Sequence, residues 1–421
     1  MEKRAINQSV NPVLPTVGFV PERLLAPQQA IVAFFARARL RPPETEMVTL
    51  DDAFGRVLAQ SAVAGEDYPN GARSLMDGFA VQSQFVPGDL EIVAGVVMGA
   101  ATTIALAPAM AMPIPTGGLL PPGADAVVPI EDVRVDGNRL RVEALIEPGL
   151  NVAQCGADMR RGETIVKPGR RIRAGEAGVL ATLGVTNVLV YHRPTIAVLS
   201  SGDELVEPHM QPGPGEIRDS NRYAIAASLQ AMGAVARHYP TLRDEADTFE
   251  SGLARALAQC EGVVVTGGSS VGERDRLPRA VAQIANPGVI VHGLRVKPGK
   301  PTLLGADGGK PILGLPGNPT SALFMLEAVA SPIVAALTGA PVEPAMVQAR
   351  LEKPAASRAG WTWYVPVSLR RDGGTPLAQP LALRSFSVSL AARADGYIVM
   401  DEGDEEWPAG RLVTVHRFLG G

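Results

Sequence analysis

The sequence predicts a multidomain α/β chain, with a mainly parallel sheet at its centre and β-rich units around it. Three observations support this. Between residues 193 and 340, short apolar runs alternate with segments of helical period, the pattern of strands joined by crossover helices. Over residues 62–153, and again over 341–421, short Val/Ile runs separated by Gly/Pro turns replace that alternation. Finally, residues 261–275, E-G-V-V-V-T-G-G-S-S-V-G-E-R-D, read as a buried strand, a glycine turn and an acid. Such a sequence builds a site at the carboxyl edge of an open sheet.

Residues 1–22 have no period and read as a loose tail. Residues 24–40 read as a helix with Ile31, Phe34 and Phe35 on one face, stopped by Pro42-Pro43. Val48-Thr49-Leu50, then Asp51 and a helix-like run to Leu58, open the next unit. In the β-rich insertion, strands are expected at 79–81, 90–97, 112–114, 126–128 and 140–142, with another at 164–166 beyond it. In the α/β region they are expected at 195–199, 234–239, 263–265, 289–291 and 311–315. Helices are expected at 222–232, along Phe249, Leu253 and Leu257, after residue 275, and at 321–337. Asp219-Ser220-Asn221 offers helix caps. Right-handed crossovers would place the carboxyl ends of parallel strands on one edge. Strands at 362–369, 397–400 and 412–415 make the last segment a small barrel or sandwich.

With 421 residues, 46% hydrophobic and 19% charged, the chain can bury a sizeable core. A net charge of −4 without a basic tract argues against nucleic acid as the main partner. Cys155 and Cys260 are far apart and the five histidines are scattered, so neither a disulfide framework nor a zinc pattern is legible. The apolar stretches are interrupted and the N-terminus lacks a signal-peptide apolar region. The expectation is a soluble cytoplasmic protein with no membrane partner.

Glu204, Asp244 and Asp275 each follow a strand, and parallel order would bring them to one rim. A single loop acid is commonly a solvated surface residue. Three on one edge suggest a divalent cation or acid/base work, and oxygen-only ligands favour Mg²⁺. Gly267, Gly268, Ser269 and Gly272 make a turn whose backbone N–H groups can approach an anion. Lys297-Pro298-Gly299-Lys300-Pro301 is opposite in sign, and its two ammonium groups can bracket a small oxyanion. Residues 314–321, G-L-P-G-N-P-T-S, form a second rigid turn whose helix start and Ser321 hydroxyl suit an anion. Each of these is also compatible with an ordinary surface turn. No Walker A sequence, complete dinucleotide fingerprint or Gly-x-Ser-x-Gly elbow is present. The residues therefore describe a metal-assisted site for an anionic, phosphorylated substrate.

Taken in order, these motifs resemble the molybdopterin molybdotransferase family (MoeA and the E-domain of gephyrin). Residues 74–81, S-L-M-D-G-F-A-V, resemble the family's S-x-M-D-G-[YF]-A sequence, and Pro115-Thr116-Gly117-Gly118 with residues 121–128 resembles its T-G-x-x-(V/L)-P-x-G-A-D-A-V-V segment. Gly202-Asp203-Glu204-Leu205, the glycine turn, the Lys-Pro-Gly-Lys-Pro loop and the Leu-Pro-Gly-Asn-Pro turn complete the set. The resemblance implies a helical and extended linker domain (23–61 and 154–192), an inserted β-rich domain (62–153), a MogA-like α/β domain (193–340) and a C-terminal β-barrel (341–421). It implies a homodimer whose site is shared between subunits. It also implies insertion of molybdate into adenylated molybdopterin, with Mg²⁺-dependent release of AMP. Molybdopterin adenylyltransferase and recipient molybdoenzymes would be partners.

Carried over by position, Asp77 and Thr116 would act from the partner subunit. Asp158, Glu204, Asp244 and Asp275 would line the cleft, with Asp244 and Asp275 as metal ligands. Lys297, Lys300, Pro301 and Ser321 would hold molybdate, Pro316 and Pro319 would shape its pocket, and Ser385 would add a hydroxyl. The sequence departs from the family where an arginine is usual and Pro366 stands, where a lysine is usual and Gly293 stands, and where Arg384 replaces the glycine before Ser385. Arg358, Arg370 and Arg384 are candidates to replace the arginine. Two alternatives stand beside this reading: an adenylyltransferase of the same pathway, whose fold resembles residues 193–339, and a non-catalytic scaffold of the gephyrin type.

Overall fold

The structure is a computed structural model that describes residues 24–100, 103–243, 246–268, 276–339, 345–371, 373–383 and 387–419. The tail expected over residues 1–22 lies outside them. The chain forms two compact units, one holding the described residues of 48–54 and 60–188, the other those of 1–47, 55–59 and 189–421.

The smaller unit is built on a six-stranded sheet, in the order Ala126–Pro129, Gly78–Val81, Met110–Ile114, Gly88–Ile92, Arg139–Val142 and Val133–Asp136. Neighbours are antiparallel except Gly88–Ile92 beside Met110–Ile114. Every residue of Gly78–Val81 is buried, with Phe79 and Val81 in one apolar cluster and Ala80 in the other. The apolar run at 90–97 yields a strand only to Ile92. Its neighbour carries Pro113, which has no N–H to continue the ladder. Ala62–Val63 pairs with Thr164–Val166, and Arg73–Ser74 with Val152–Ala153, so the chain leaves and re-enters this unit along antiparallel pairs.

The helix-like reading of residues 51–58 fails. The Thr49 hydroxyl donates to Asp52 Oδ2 at 2.8 Å and accepts from the Asp52 N–H at 3.3 Å, which closes a turn. Gly55, at φ +75°, then turns the chain away from helical backbone.

In the larger unit a six-stranded sheet runs Val235–His238, Thr195–Ser200, Gly262–Thr266, Lys310–Leu315, Leu303–Asp307 and Pro287–His292. The first four are parallel; the last two join antiparallel. Period-two burial divides the strand residues between two layers of helices. Ile196, Val198 and Val264 share a core with Pro27–Ala38, Asn221–Ala231 and the helical run from Pro319. Ala197, Leu199, Val263 and Val265 share one with Ala246–Gln259 and Leu277–Ile284. Leu303–Asp307 was missed as a strand by the sequence reading. Its signal is Gly308-Gly309, both at positive φ, which turns one strand directly into the next as a hairpin.

The helix expected at 321–337 begins at Pro319 and has three parts: α-helix Pro319–Phe324, π-helix Met325–Ala330 and α-helix Ser331–Thr338. Among the described residues, only this 20-residue stretch is long and apolar enough to cross a membrane, and 72% of its apolar window is buried inside the protein. It is therefore placed as a core helix. At the start of Asn221–Ala231, Asp219 Oδ1 rather than Ser220 accepts from the Arg222 N–H, at 3.1 Å.

The last segment resolves the choice between barrel and sandwich. Thr362–Arg370 pairs through its second half with Leu377–Pro380 and through its first half with Gly396–Met400. Met346–Leu351 and Leu412–Arg417 complete the ring, so five strands close a barrel around Ala349, Leu351, Val367, Ile398 and Val413. A sixth, short strand, Val296–Lys297, comes from the α/β part and pairs in parallel with Thr362–Trp363.

Glu327, in the π-helical turn, is buried, with Oε1 accepting from Ser228 Oγ at 2.8 Å and Oε2 from the Leu419 N–H at 3.0 Å. Burial pushes its carboxyl above the ordinary value of 4.5, against the opposing effect of its two hydrogen bonds. The folded chain then holds more protons here than the unfolded one, so stability falls as pH rises above that value. In Glu327→Gln, the amide can accept from Leu419 and donate to Ser228. Its melting temperature is expected to exceed the wild type's by a margin that grows from about pH 5 to about pH 8. A margin that is constant or shrinks across that range, measured by thermal denaturation, would contradict the assignment.

Candidate functional site

The basic loop is held in place from both ends. Leu294 N–H donates to the Lys300 carbonyl at 2.8 Å, and Thr302 donates to the Gly299 carbonyl through its N–H at 3.1 Å and its hydroxyl at 2.6 Å. Gly299 has φ +111°, and a Cβ there would lie 2.2 Å from Met325 Sδ. Met325 is fully buried in the π-helical turn, so glycine is required both by the backbone and by the space. The parallel bridge then lays Lys297 beside Trp363, with the ammonium 4.7 Å from the indole ring centroid. Such a contact contributes about 0.5–1 kcal/mol when exposed.

The second rigid turn is organised by Asn318. Its Oδ1 accepts from both the N–H and the hydroxyl of Ser321 at 3.2 Å, which caps the helix. The capping bond occupies the Ser321 N–H, while the hydroxyl proton can rotate towards a ligand. Thr320 is tied to the Ser387 carbonyl at 2.6 Å, and Asn221 Nδ2 donates to the Gly317 carbonyl at 2.8 Å.

These loops line one cleft of about 540 Å³, within the range of small-molecule sites. Lys297, Lys300, Pro301 and Ser321 contribute from the α/β side. Arg358, Trp361 and Trp363 contribute from the barrel side. Among the described lining residues there are three cationic side chains and no acid, so these residues make the cleft electropositive. Pro316 and Pro319 do not line it, although Asn318 between them does. A second cleft of about 490 Å³ shares Lys297, Trp363 and Leu383 and is otherwise walled by apolar residues, including Pro366.

The glycine turn lies at the carboxyl end of Gly262–Thr266, beside the Asn318 turn. The Gly267 N–H donates to the Leu315 carbonyl at 3.0 Å and is not available to a ligand. Gly267, at φ +84°, lets the turn pass Ser201, whose carbonyl would be 2.6 Å from an added Cβ. Gly268 follows it and accepts from the Leu277 N–H at 3.2 Å. Glu204 is exposed beyond the end of Thr195–Ser200 and does not line the cleft. Asp244, Ser269, Gly272, Asp275 and Ser385 lie outside the described residues. Among those described, no group of three or more His, Cys, Asp or Glu side chains could hold a metal ion.

Asp77, Thr116 and Asp158 belong to the smaller unit, and all three are exposed. Asp77 Oδ1 accepts from the Thr116 N–H at 2.7 Å, so the two predicted residues are neighbours on adjoining turns. The Asp158 N–H donates to the Tyr68 carbonyl at 3.1 Å. The sequence reading did not single out Trp361, Trp363 or Asn318 as site residues. Asn318 had a legible signal, an asparagine immediately before a proline at a helix start. The tryptophans had none before the strand pairing was known.

Three family models match in order: the MoeA N-terminal region (domains I and II) over residues 25–184, a "Probable molybdopterin binding domain" over 197–336, and the MoeA C-terminal region (domain IV) over 348–418. A molybdopterin molybdenumtransferase from Bacillus subtilis (strain 168) is 30% identical over 385 residues, covering 88% of this chain and 89% of the relative. One from Nostoc sp. is 32% identical over 319 residues, covering 73% of each. The crystal structure of a molybdopterin biosynthesis MoeA protein from Pyrococcus horikosii superposes with a TM-score of 0.77 at 28% identity, covering 95% of this chain and 100% of that one.

Gly299→Ala is expected to destabilise the protein by roughly 1–3 kcal/mol through backbone strain at a position over-determined by its surroundings. Met325→Ala alone costs stability by opening a core cavity, but combined with Gly299→Ala it removes the collision, so in chemical denaturation the double variant should lose less than the sum of the two single losses. Full stability in Gly299→Ala would show that the loop is not held as described.

Proposed function

The chain belongs to the MoeA family of molybdopterin molybdenumtransferases and acts in molybdenum cofactor biosynthesis; from that premise we propose that it inserts molybdate into adenylated molybdopterin and releases AMP. The observation that carries this reading is the cleft in which Lys297, Lys300 and Ser321 meet the barrel wall with no acid among the described lining residues. Molybdate is a dianion. Two ammonium groups and a rotatable hydroxyl match its charge and its acceptor oxygens, and charge-assisted bonds of this kind are about twice as strong as neutral ones. The cleft volume of about 540 Å³ exceeds what one tetrahedral oxyanion occupies, which leaves room for part of a larger ligand.

In this reading the lysines hold the incoming oxyanion where a dithiolene can attack it, so that insertion becomes a local event rather than a bimolecular encounter. Pro298 and Pro301 stiffen the loop between the two ammonium groups. The carboxyl edge of the parallel sheet, with its turn at Gly267 and Gly268, would receive the adenylate part of the substrate.

Mg²⁺ belongs to this proposal as well, with Asp244 and Asp275 as its ligands. When bound it would neutralise charge as the phosphate link breaks. Glu204 is the described member of that acidic rim and does not by itself form a cation site, so no step is derived through the metal. A homodimer is proposed with it, in which the paired Asp77 and Thr116 turns of one subunit face the cleft of the other.

Purified protein supplied with adenylated molybdopterin, molybdate and Mg²⁺ is expected to release AMP and to form a cofactor that reconstitutes an apo-molybdoenzyme. Lys300→Ala should lower the rate by about one to two orders of magnitude, the loss expected for one charge-assisted contact. No AMP above a protein-free control would overturn the reading. Formation of adenylated product from ATP and molybdopterin would favour the adenylyltransferase alternative.

A further inference from the structure

Arg358 lines the cleft from a turn in the barrel segment, and that turn is fixed to the lysine loop by more than one contact. The Thr362 N–H donates to the Arg295 carbonyl at 3.1 Å, just before the parallel bridge of Val296 and Lys297 with Thr362 and Trp363. Arg295 also makes a bidentate ion pair with Glu402, at 2.8 and 3.0 Å. The carbonyl of that same Glu402 accepts from the Gly360 N–H at 2.7 Å, two residues past Arg358. On the other side, Ser357 donates from its N–H to the Glu405 carbonyl at 2.8 Å and from its hydroxyl to the Asp404 carbonyl at 2.6 Å. The backbone that carries Arg358 is thus anchored on both flanks, and one anchor is shared with the lysine loop.

The guanidinium itself has no ion-pair or hydrogen-bond partner among the described residues, although acids are plentiful on the neighbouring turn. Arg370 differs: it is paired with Glu352 at 2.6 Å and does not line the cleft. Pro366 carries no charge and faces the adjoining apolar cleft. An arginine that lines this hollow together with two lysines and two tryptophans, with no acid among the described lining residues, can meet an anion with its planar fork of donors.

We infer that Arg358 is an oxyanion-binding residue of this cleft, supplying from the barrel side the bidentate contact that the two lysines cannot make. The inference rests on the reading of the cleft as the molybdate site. Lysines act as point charges and leave a tetrahedral anion free to turn, whereas a guanidinium fixes two of its oxygens at once. The role of Arg358 is therefore orientation as well as affinity.

The test is direct binding of sodium molybdate to the full-length protein, followed by calorimetry and by the fluorescence of the cleft tryptophans. Wild type, Arg358→Ala, Arg358→Lys, Arg370→Ala and Lys300→Ala are compared, with circular dichroism and melting curves to confirm folding. Arg358→Ala is expected to weaken binding by about ten- to a hundredfold. Arg358→Lys should recover only part of that loss, because it restores charge without the fork. Arg370→Ala should bind as wild type does. If Lys300→Ala weakens binding while Arg358→Ala binds as tightly as wild type, the assignment of Arg358 is overturned and the cleft reading survives. If the wild type fails to bind molybdate, or Lys300→Ala has no effect, the cleft reading falls and the assignment falls with it.

Discussion

A two-residue strand determines the site. Val296 and Lys297 leave the α/β sheet's last connection and pair in parallel with Thr362 and Trp363 of the barrel. The pairing is short, but the bidentate Arg295–Glu402 pair and the buried Thr302 hydroxyl on the Gly299 carbonyl support it from either side. Through this register the ammonium of Lys297 lies on the Trp363 ring, and the turn carrying Arg358 comes to the edge of the same hollow. A shift of one residue would turn Trp363 to the opposite face of its strand, because side chains alternate with period two.

The rest of the larger unit can be read as support for that register. The central sheet sorts its side chains into two apolar layers, and the long helical run from Pro319 is buried in one of them. The π-helical turn places Met325 under Gly299 and Glu327 between Ser228 and the chain's final described residues. A local change of helical pitch thus touches the basic loop directly and the C-terminal segment by hydrogen bonding. π-helical turns often occur at functional sites, where they re-aim one side chain without breaking the helix.

Electrostatics set the cleft apart from the turns around it. Among the described lining residues there are three cationic side chains and no acid, and like charges repel, an effect that water moderates where the groups are exposed. A bound dianion would relieve it, whereas a neutral ligand would not. The acids of the neighbouring turn are engaged elsewhere: Glu402 with Arg295, and Asp404 with the Trp407 indole and the Asp401 N–H.

Much of this was legible in the sequence. The parallel core followed from the alternation of buried runs and helices, because a strand buried on both faces is mostly apolar, as Val263–Val265 within the fully buried Gly262–Thr266 are. The two rigid turns were legible because proline and glycine restrict the backbone locally, and Lys297, Lys300 and Ser321 do share one cleft. Residues 51–58 misled because a helical period there was overridden by a turn that a Thr49–Asp52 hydrogen bond closes and Gly55 continues at positive φ. The sequence determined what depends on neighbours along the chain: the strands, the stiff turns and the charged residues they carry. Tertiary structure alone decided what depends on neighbours across it. Arg358 rather than Arg370 lines the cleft because Glu352, 18 positions away, pairs with Arg370, while the Val296–Thr362 register and the Arg295–Glu402 pair join the turn of Arg358 to the lysine loop, and no periodicity records such pairings between residues more than sixty positions apart.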